Sequence, residues 1–353
     1  MRRGYVDLCR RFARSLLALA VLTQVAAVAF AQTVAELSVR ATRAAETQPT
    51  ADDGYLGWQQ ADPDQPNKFH AYVKPTGGAA FRVNPAGTRG AMGGIDGTTL
   101  VYQEFRFSPD LSDLMFFDLA TRERSDPPTG VNTLRWEYFP SISGEWLLFG
   151  RQKISDGSRA IVLHNTLTGD ERILASAEDA WLGPGQVNGN YAVWEKCTRR
   201  RCDIFKYEIL SELTQQIPNP GNWQYGPAVS EAGTVYFTRH GDPCASRARI
   251  FRRSPGSGSE LLATIASNRD AGELFARTFP AGATDVYYAR FVLTDECRVP
   301  RDRFDVYKVI DQGATGIQAA SSSESANTLP AQRATSSLYS RSLIPAGGSP
   351  TTR

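Results

Sequence analysis

Residues 195–207, EKCTRRRCDIFKY, place two cysteines, Cys197 and Cys202, around three arginines, Arg199, Arg200 and Arg201. That combination suits a metal clip, a redox pair, a nucleic-acid hook, or a disulfide-stapled hairpin tip that presents guanidinium forks to carboxylate or phosphate. Zinc wants a second cysteine pair or histidines at regular spacing. The chain has three histidines, His70, His164 and His240, and of these only His240 comes near a cysteine, Cys244. A C-x-x-C redox motif is absent. Neither a metal nor another cofactor is therefore expected. Which of the remaining chemistries applies depends on the elements that carry the cysteines.

Other catalytic signatures are missing. There is no G-x-S-x-G nucleophile elbow and no phosphate loop of the Walker or dinucleotide type. Acidic residues such as Asp110, Asp156 and Asp242 fall in turn-like stretches, where aspartate usually bonds its own backbone.

The ends of the chain set its compartment. Arg2, Arg3, Arg10, Arg11 and Arg14 form a basic head, SLLALAVLTQVAAVAF an apolar body, and Ala29-Phe30-Ala31 a small-x-small cleavage site. Residues 1–31 read as a signal peptide, which predicts a periplasmic or extracellular protein with no membrane span after cleavage. The chain is +2 overall, and the head, with its five arginines and Asp7, supplies +4, so the remainder is −2. A near-neutral mature chain lacks the basic field that nucleic-acid binding needs. From 314 to 353 Ser, Thr, Ala, Pro and Gly dominate and no apolar period survives, which predicts a disordered tail.

Between these ends lies a repeat. GGIDGTTLVYQEF (93–105), PSISGEWLLFGRQ (140–152), GQVNGNYAVWEKC (185–197) and PAVSEAGTVYFTR (227–239) share an apolar residue, a polar or glycine turn, and a strand with an aromatic in it. ADDGYLGWQQ and FPAGATDVYYARF are looser copies. With Trp58, Tyr102, Phe149, Trp194, Tyr236 and Tyr287 taken as equivalent, the spacings are 44, 47, 45, 42 and 51 residues, the period of a four-stranded propeller blade. A second set of segments, including LMFFDLATRERSD, AIVLHNTLTGDERIL and IFKYEILSELTQQI, supplies a strand, a polar turn and a closing strand. The fold expected is all-β: a six-bladed β-propeller of four-stranded antiparallel blades over 50–313, with 32–49 a linker or a closing strand drawn from VAELSVR.

The x-x-[S/D]-G-x-x-aromatic pattern, closest to a full motif in Pro140-Ser141-Ile142-Ser143-Gly144, resembles the TolB-type six-bladed propellers with WD40-like repeats. TolB proteins carry an additional amino-terminal domain. The roughly twenty residues between signal and first blade leave no room for one here.

That resemblance implies that the hairpins between second and third strands share one ring face with the loops leading into each blade. Cys197, Cys202, Cys244 and Cys297 all fall in such hairpins, which implies two disulfides, Cys197–Cys202 within one hairpin and Cys244–Cys297 between neighbouring blades. The loops leading into the blades are expected to hold Trp136 and Tyr138 before Pro140, Trp181 before Pro184, Trp223 and Tyr225 before Pro227, and Phe275 before Pro280. Such rings stack on sugars, prolines or cations, or pack between blades. The expected function is a monomeric, non-catalytic module that binds an envelope or extracellular protein or glycan. Its hypothesised contacts are Trp136, Tyr138, Trp181, Trp223, Tyr225, Arg199, Arg200 and Arg201. The alternatives are a propeller hydrolase or lyase with two carboxylates in the channel, and a structural surface protein.

Overall fold

The computed structural model describes residues 37–40 and 46–311, apart from 53, 63, 66–67, 109–110, 221–222, 241–248, 265–268, 280–281 and 293–304. The expected signal peptide and tail, Cys244, Cys297 and Pro280 therefore lie outside the described residues. Every regular element among those described is a β-strand.

Strand β1 (Leu37–Arg40) belongs to the last sheet. The first sheet comprises β2 (Glu46–Asp52), β3 (Tyr55–Ala61), β4 (Phe69–Pro75) and β5 (Phe81–Arg82). It begins at Glu46, ahead of the boundary at 50 read from the sequence. The second contains β6 (Arg89–Ala91), β7 (Ile95–Asp96), β8 (Thr99–Ser108), β9 (Leu111–Asp118) and β10 (Arg124–Ser125). The third has β11 (Trp136–Ser143), β12 (Trp146–Gln152), β13 (Arg159–Asn165) and β14 (Glu171–Ala177). An eight-stranded sheet follows. Its first half is β15 (Trp181–Asn188), β16 (Tyr191–Cys197), β17 (Cys202–Glu208) and β18 (Leu213–Gln216). Its second half is β19 (Trp223–Val229), β20 (Val235–His240), β21 (Arg249–Arg253) and β22 (Glu260–Thr264). A single parallel pair, Cys202 with Trp223, joins the halves. The last sheet is β23 (Arg269–Thr278), β24 (Thr284–Val292) and β25 (Asp305–Asp311), with β1 paired antiparallel outside β25.

Burial explains the strand sequences. WLLFGRQ of β12 is buried along its whole interior, because sheets cover both of its faces. The outermost strands are less buried, and β18 is exposed along its full length. Apolar clusters fill the space between each group of strands and the next. Trp194 packs back on Leu148 and Ile161, Phe237 on Val193 and Ile204, and Tyr288 on Ile250 and Leu262. The series returns on itself, with Trp58 of the first sheet packed on Tyr287 and Val306 of the last. Successive antiparallel sheets packed face to face in a closed series make a β-propeller.

This packing corrects the repeat alignment at two positions. The side chains that face the preceding strands are Trp58, Tyr102, Phe149, Trp194, Phe237 and Tyr288. Tyr236 and Tyr287, taken as equivalent from sequence, each stand one residue earlier and face forward instead. A one-residue slip in a strand reverses the face.

The [S/D]-G turns are explained by contacts between neighbouring sheets. Asp52 Oδ2 accepts from Gly97 N at 2.7 Å, Asp96 Oδ2 from Gly144 N at 2.8 Å, and Ser143 Oγ from Gly189 N at 3.1 Å. Each of these side chains, one or two residues ahead of its own turn glycine, thus holds the turn of the next sheet. Gly144 sits at φ 56°, a conformation glycine takes at little cost.

Candidate functional site

Two places gather unusual residues: the channel where the innermost strands meet, and the rim carrying the hairpins between second and third strands.

The channel is built from one repeated distortion. The pairing register breaks between Thr47 and Thr50 in β2, Tyr138 and Ser141 in β11, Pro184 and Val187 in β15, Tyr225 and Ala228 in β19, and Gly272 and Phe275 in β23. Such bulges bend a strand and re-aim its side chains. Gln48 and Phe139 take left-handed φ values of 49° and 47° just before Pro49 and Pro140. The bulges surround a cavity with about 70 Å³ of room, enough for a few waters.

Gln186 ties this centre across. Its Nε2 donates to Ala276 O at 2.7 Å, while its Oε1 accepts from Ala276 N at 2.9 Å and Val229 N at 3.2 Å. The enzymatic alternative needs two close carboxylates here. Among the described lining residues Glu195 is the sole carboxylate, and its Oε2 accepts from Gly226 N at 2.8 Å. Phe275, expected in a loop, lies within β23 and lines this cavity.

The rim is different. Cys197 and Cys202 pair across β16 and β17 and form a disulfide with Cα atoms 4.0 Å apart. The tip is closed by Thr198 N donating to Arg201 O at 2.8 Å. Arg199, Arg200 and Arg201 are all exposed. Arg201 bonds Asp203 at 2.5 Å, which raises the guanidinium's pKa further above its ordinary value. The opening stretch is thus a stapled hairpin tip.

Its neighbours follow from register. Trp181 pairs with Cys197, Cys197 with Cys202, Cys202 with Trp223, and Trp223 with His240. The two indoles therefore flank the staple in one row across the sheet. These aromatics lie in the first strands themselves and not in the loops before them. Trp136, Trp181, Trp223 and Tyr225 are half-buried.

Tyr138 is a correction. It is 1 % exposed, and its hydroxyl donates to Leu182 O at 2.8 Å. Burial pushes its phenol pKa far up. Tyr138 is closed to any partner; it supports the half-buried indoles that pack on it. Trp136 packs on it at 5.6 Å and Trp181 stacks on it at 5.5 Å. Trp223 stacks on Tyr225 at 6.0 Å.

Sequence reading missed Arg159, at the start of β13, whose guanidinium lies 5.3 Å over the Trp181 ring. Nothing local marks it, because the contact joins two sheets. It also missed Gly150, which makes room for Tyr138, although an isolated glycine inside LLFGRQ signals a close approach.

No protein-family model matches the sequence, and no curated protein does. Among solved structures, TolB from Acinetobacter baumannii is 12% identical with a TM-score of 0.49, over 73% of this chain and 64% of that one. The β-propeller domain of the Trilobed protease from Pyrococcus furiosus is 9% identical with a TM-score of 0.47, over 76% of this chain and 96% of that one. The acylaminoacyl peptidase of Pyrococcus horikoshii is 11% identical with a TM-score of 0.48, over 77% of this chain and 46% of that one. The chain thus spans less than two thirds of the TolB structure's length. Likenesses of this order carry no activity, substrate or partner across, and the propeller fold rests on the sheet packing described above.

Proposed function

We propose that this chain is an exported, non-catalytic propeller that binds a protein or glycan partner through its hairpin rim. The observation that carries this reading is the row Trp181–Cys197–Cys202–Trp223, which sets two half-buried indoles beside an exposed arginine tip pinned by a disulfide. Rigid rings with polar groups beside them are what binding surfaces use, since little ordering entropy is lost on contact. The disulfide also suits an oxidising compartment, and so supports reading 1–31 as an export signal. In this reading the two halves of the eight-stranded sheet act as separate blades, giving six, and the ring is of the TolB type. A Cys244–Cys297 bridge would staple the next pair of hairpins on the same face. The protein acts as a monomer.

The test is capture from envelope extract by the immobilised mature chain, repeated with Trp136→Ala, Trp181→Ala and Trp223→Ala. Loss of a captured component with any of these supports the rim. Capture that none of the three alters overturns it.

A further inference from the structure

The hairpin rim is charged as well as aromatic. From the turn ahead of Trp136 to the start of β21 stand Arg135, Arg159, Arg199, Arg200 and Arg249, none with an ion-pair partner among the described residues. Among the described residues of these hairpins and turns the acids are Asp156, paired with Lys153 at 2.7 Å, Asp203, paired with Arg201, and the exposed Glu178 and Asp179; Asp242 lies outside the described residues. The described part of the rim thus carries an excess of positive charge on a mature chain whose net charge is −2. Arg159 is stacked on Trp181, so its fork is held flat and ready for a bidentate acid group.

A second observation narrows the partner. Trp136 and Gln152 face each other in register. The indole Nε1 of Trp136 and the Oε1 of Gln152 are both closed off from water without a hydrogen-bond partner, and so is Nε of Arg159, which pairs with Gln152 on the next strand. A donor and an acceptor on residues held in register are together the complement of a hydroxyl, which both accepts and donates. Orphaned polar atoms of this kind are costly, and a hydroxyl admitted by a parting of the two side chains would satisfy them.

A third observation concerns backbone. The row from Trp181 to Trp223 is already paired strand to strand, so an extended peptide finds no free edge there to join. Recognition on this face falls to rings, forks and the unpartnered polar atoms of Trp136 and Gln152.

We propose that the rim binds an acidic polysaccharide, with sugar rings against Trp223, acid groups on Arg159, Arg199 and Arg200, and a hydroxyl between Trp136 and Gln152. The inference rests on the binding reading above and names its ligand class. The acid is a carboxylate or a sulfate, both of which suit a guanidinium fork.

The experiment is calorimetric titration of the mature protein with alginate, dextran sulfate, unmodified dextran and poly-L-glutamate, at low and high salt. Expected is binding to alginate or dextran sulfate that weakens with salt. The preferred polymer of the two identifies the acid group. The R199Q/R200Q double variant, on an exposed turn, should weaken that binding roughly tenfold or more. Trp223→Ala and Gln152→Ala should weaken it too while leaving any poly-L-glutamate binding unchanged. Equal binding of unmodified dextran overturns the proposal. So does poly-L-glutamate binding as tight as the sugar polymers, or indifference to Trp223→Ala in a variant that circular dichroism shows folded. If no polymer binds while capture from extract still depends on the rim, the polysaccharide falls and the binding reading stands. If neither occurs, both fall.

Discussion

A methyl group placed on Gly150 would lie 2.2 Å from the ring of Tyr138. Tyr138 has no room to retreat: it is buried, its hydroxyl is bound to Leu182 O, and Trp136 and Trp181 lean on it. Gly150→Ala should therefore destabilise the fold by about 1–3 kcal/mol, the usual cost of overpacking. It should also weaken binding at the rim, because Trp181 and the Arg159 stacked on it lose their support. Urea denaturation together with the polymer titration checks both effects. A variant of unchanged stability and affinity would show that Tyr138 does not position the rim. The corresponding contrast is Arg199 and Arg200, exposed on their turn. Changing them should alter affinity and leave stability alone.

Strands and turns were legible in the sequence where one short segment determines them. The [S/D]-G turns stood out because a tight turn needs glycine, and the side chain before it has a fixed task in the neighbouring sheet. The Cys197–Cys202 hairpin was legible because both partners lie within one loop. Register in the later strands was not. VYFTR and VYYAR each hold two adjacent aromatics, and sequence alone does not say which of Tyr236 and Phe237, or Tyr287 and Tyr288, faces back. Arg159 over Trp181 was hidden because it is set by how two sheets pack. Gln186 was hidden for the same reason, since it reaches from β15 to β23 past the strands between. Gln186→Ala would strand the amide and carbonyl of Ala276 and the amide of Val229 in a buried place. A loss of roughly 2–4 kcal/mol is expected, given about 1–3 kcal/mol for each orphaned group and incomplete additivity. Gln186→Glu, which keeps the acceptor oxygen and loses the donor, should recover none of the Ala276 O bond. Urea midpoints for the two variants test this: wild-type stability in Gln186→Ala would mean that the tie contributes nothing, and in Gln186→Glu that the bond to Ala276 O does not.

The closed series of sheets raises the question of what holds its two ends together. Three kinds of contact act there: the apolar cluster of Ala51 and Trp58 against Tyr287 and Val306, the pairing of β1 with β25, and the ion pair of Arg277 with Asp52 at 3.4 Å. The first and third join side chains and survive loss of the chain ahead of Glu46. The second does not. A chain that starts at Glu46 leaves β25 as an open edge, with Lys308, Tyr307 and Val306 no longer opposed by Leu37, Ser38 and Arg40. The handful of backbone hydrogen bonds lost, at roughly 1 kcal/mol net each, should lower stability by about 2–4 kcal/mol. The bare edge should also promote self-association, as unpaired strands do. Because the apolar cluster remains, unfolding should stay a single transition at a lower midpoint. Urea denaturation and analytical ultracentrifugation of the truncated and mature chains separate the cases. An unchanged midpoint in a monomeric truncated protein would mean that side-chain contacts alone close the series. Two resolved transitions would mean that β1 couples the last sheet to the rest.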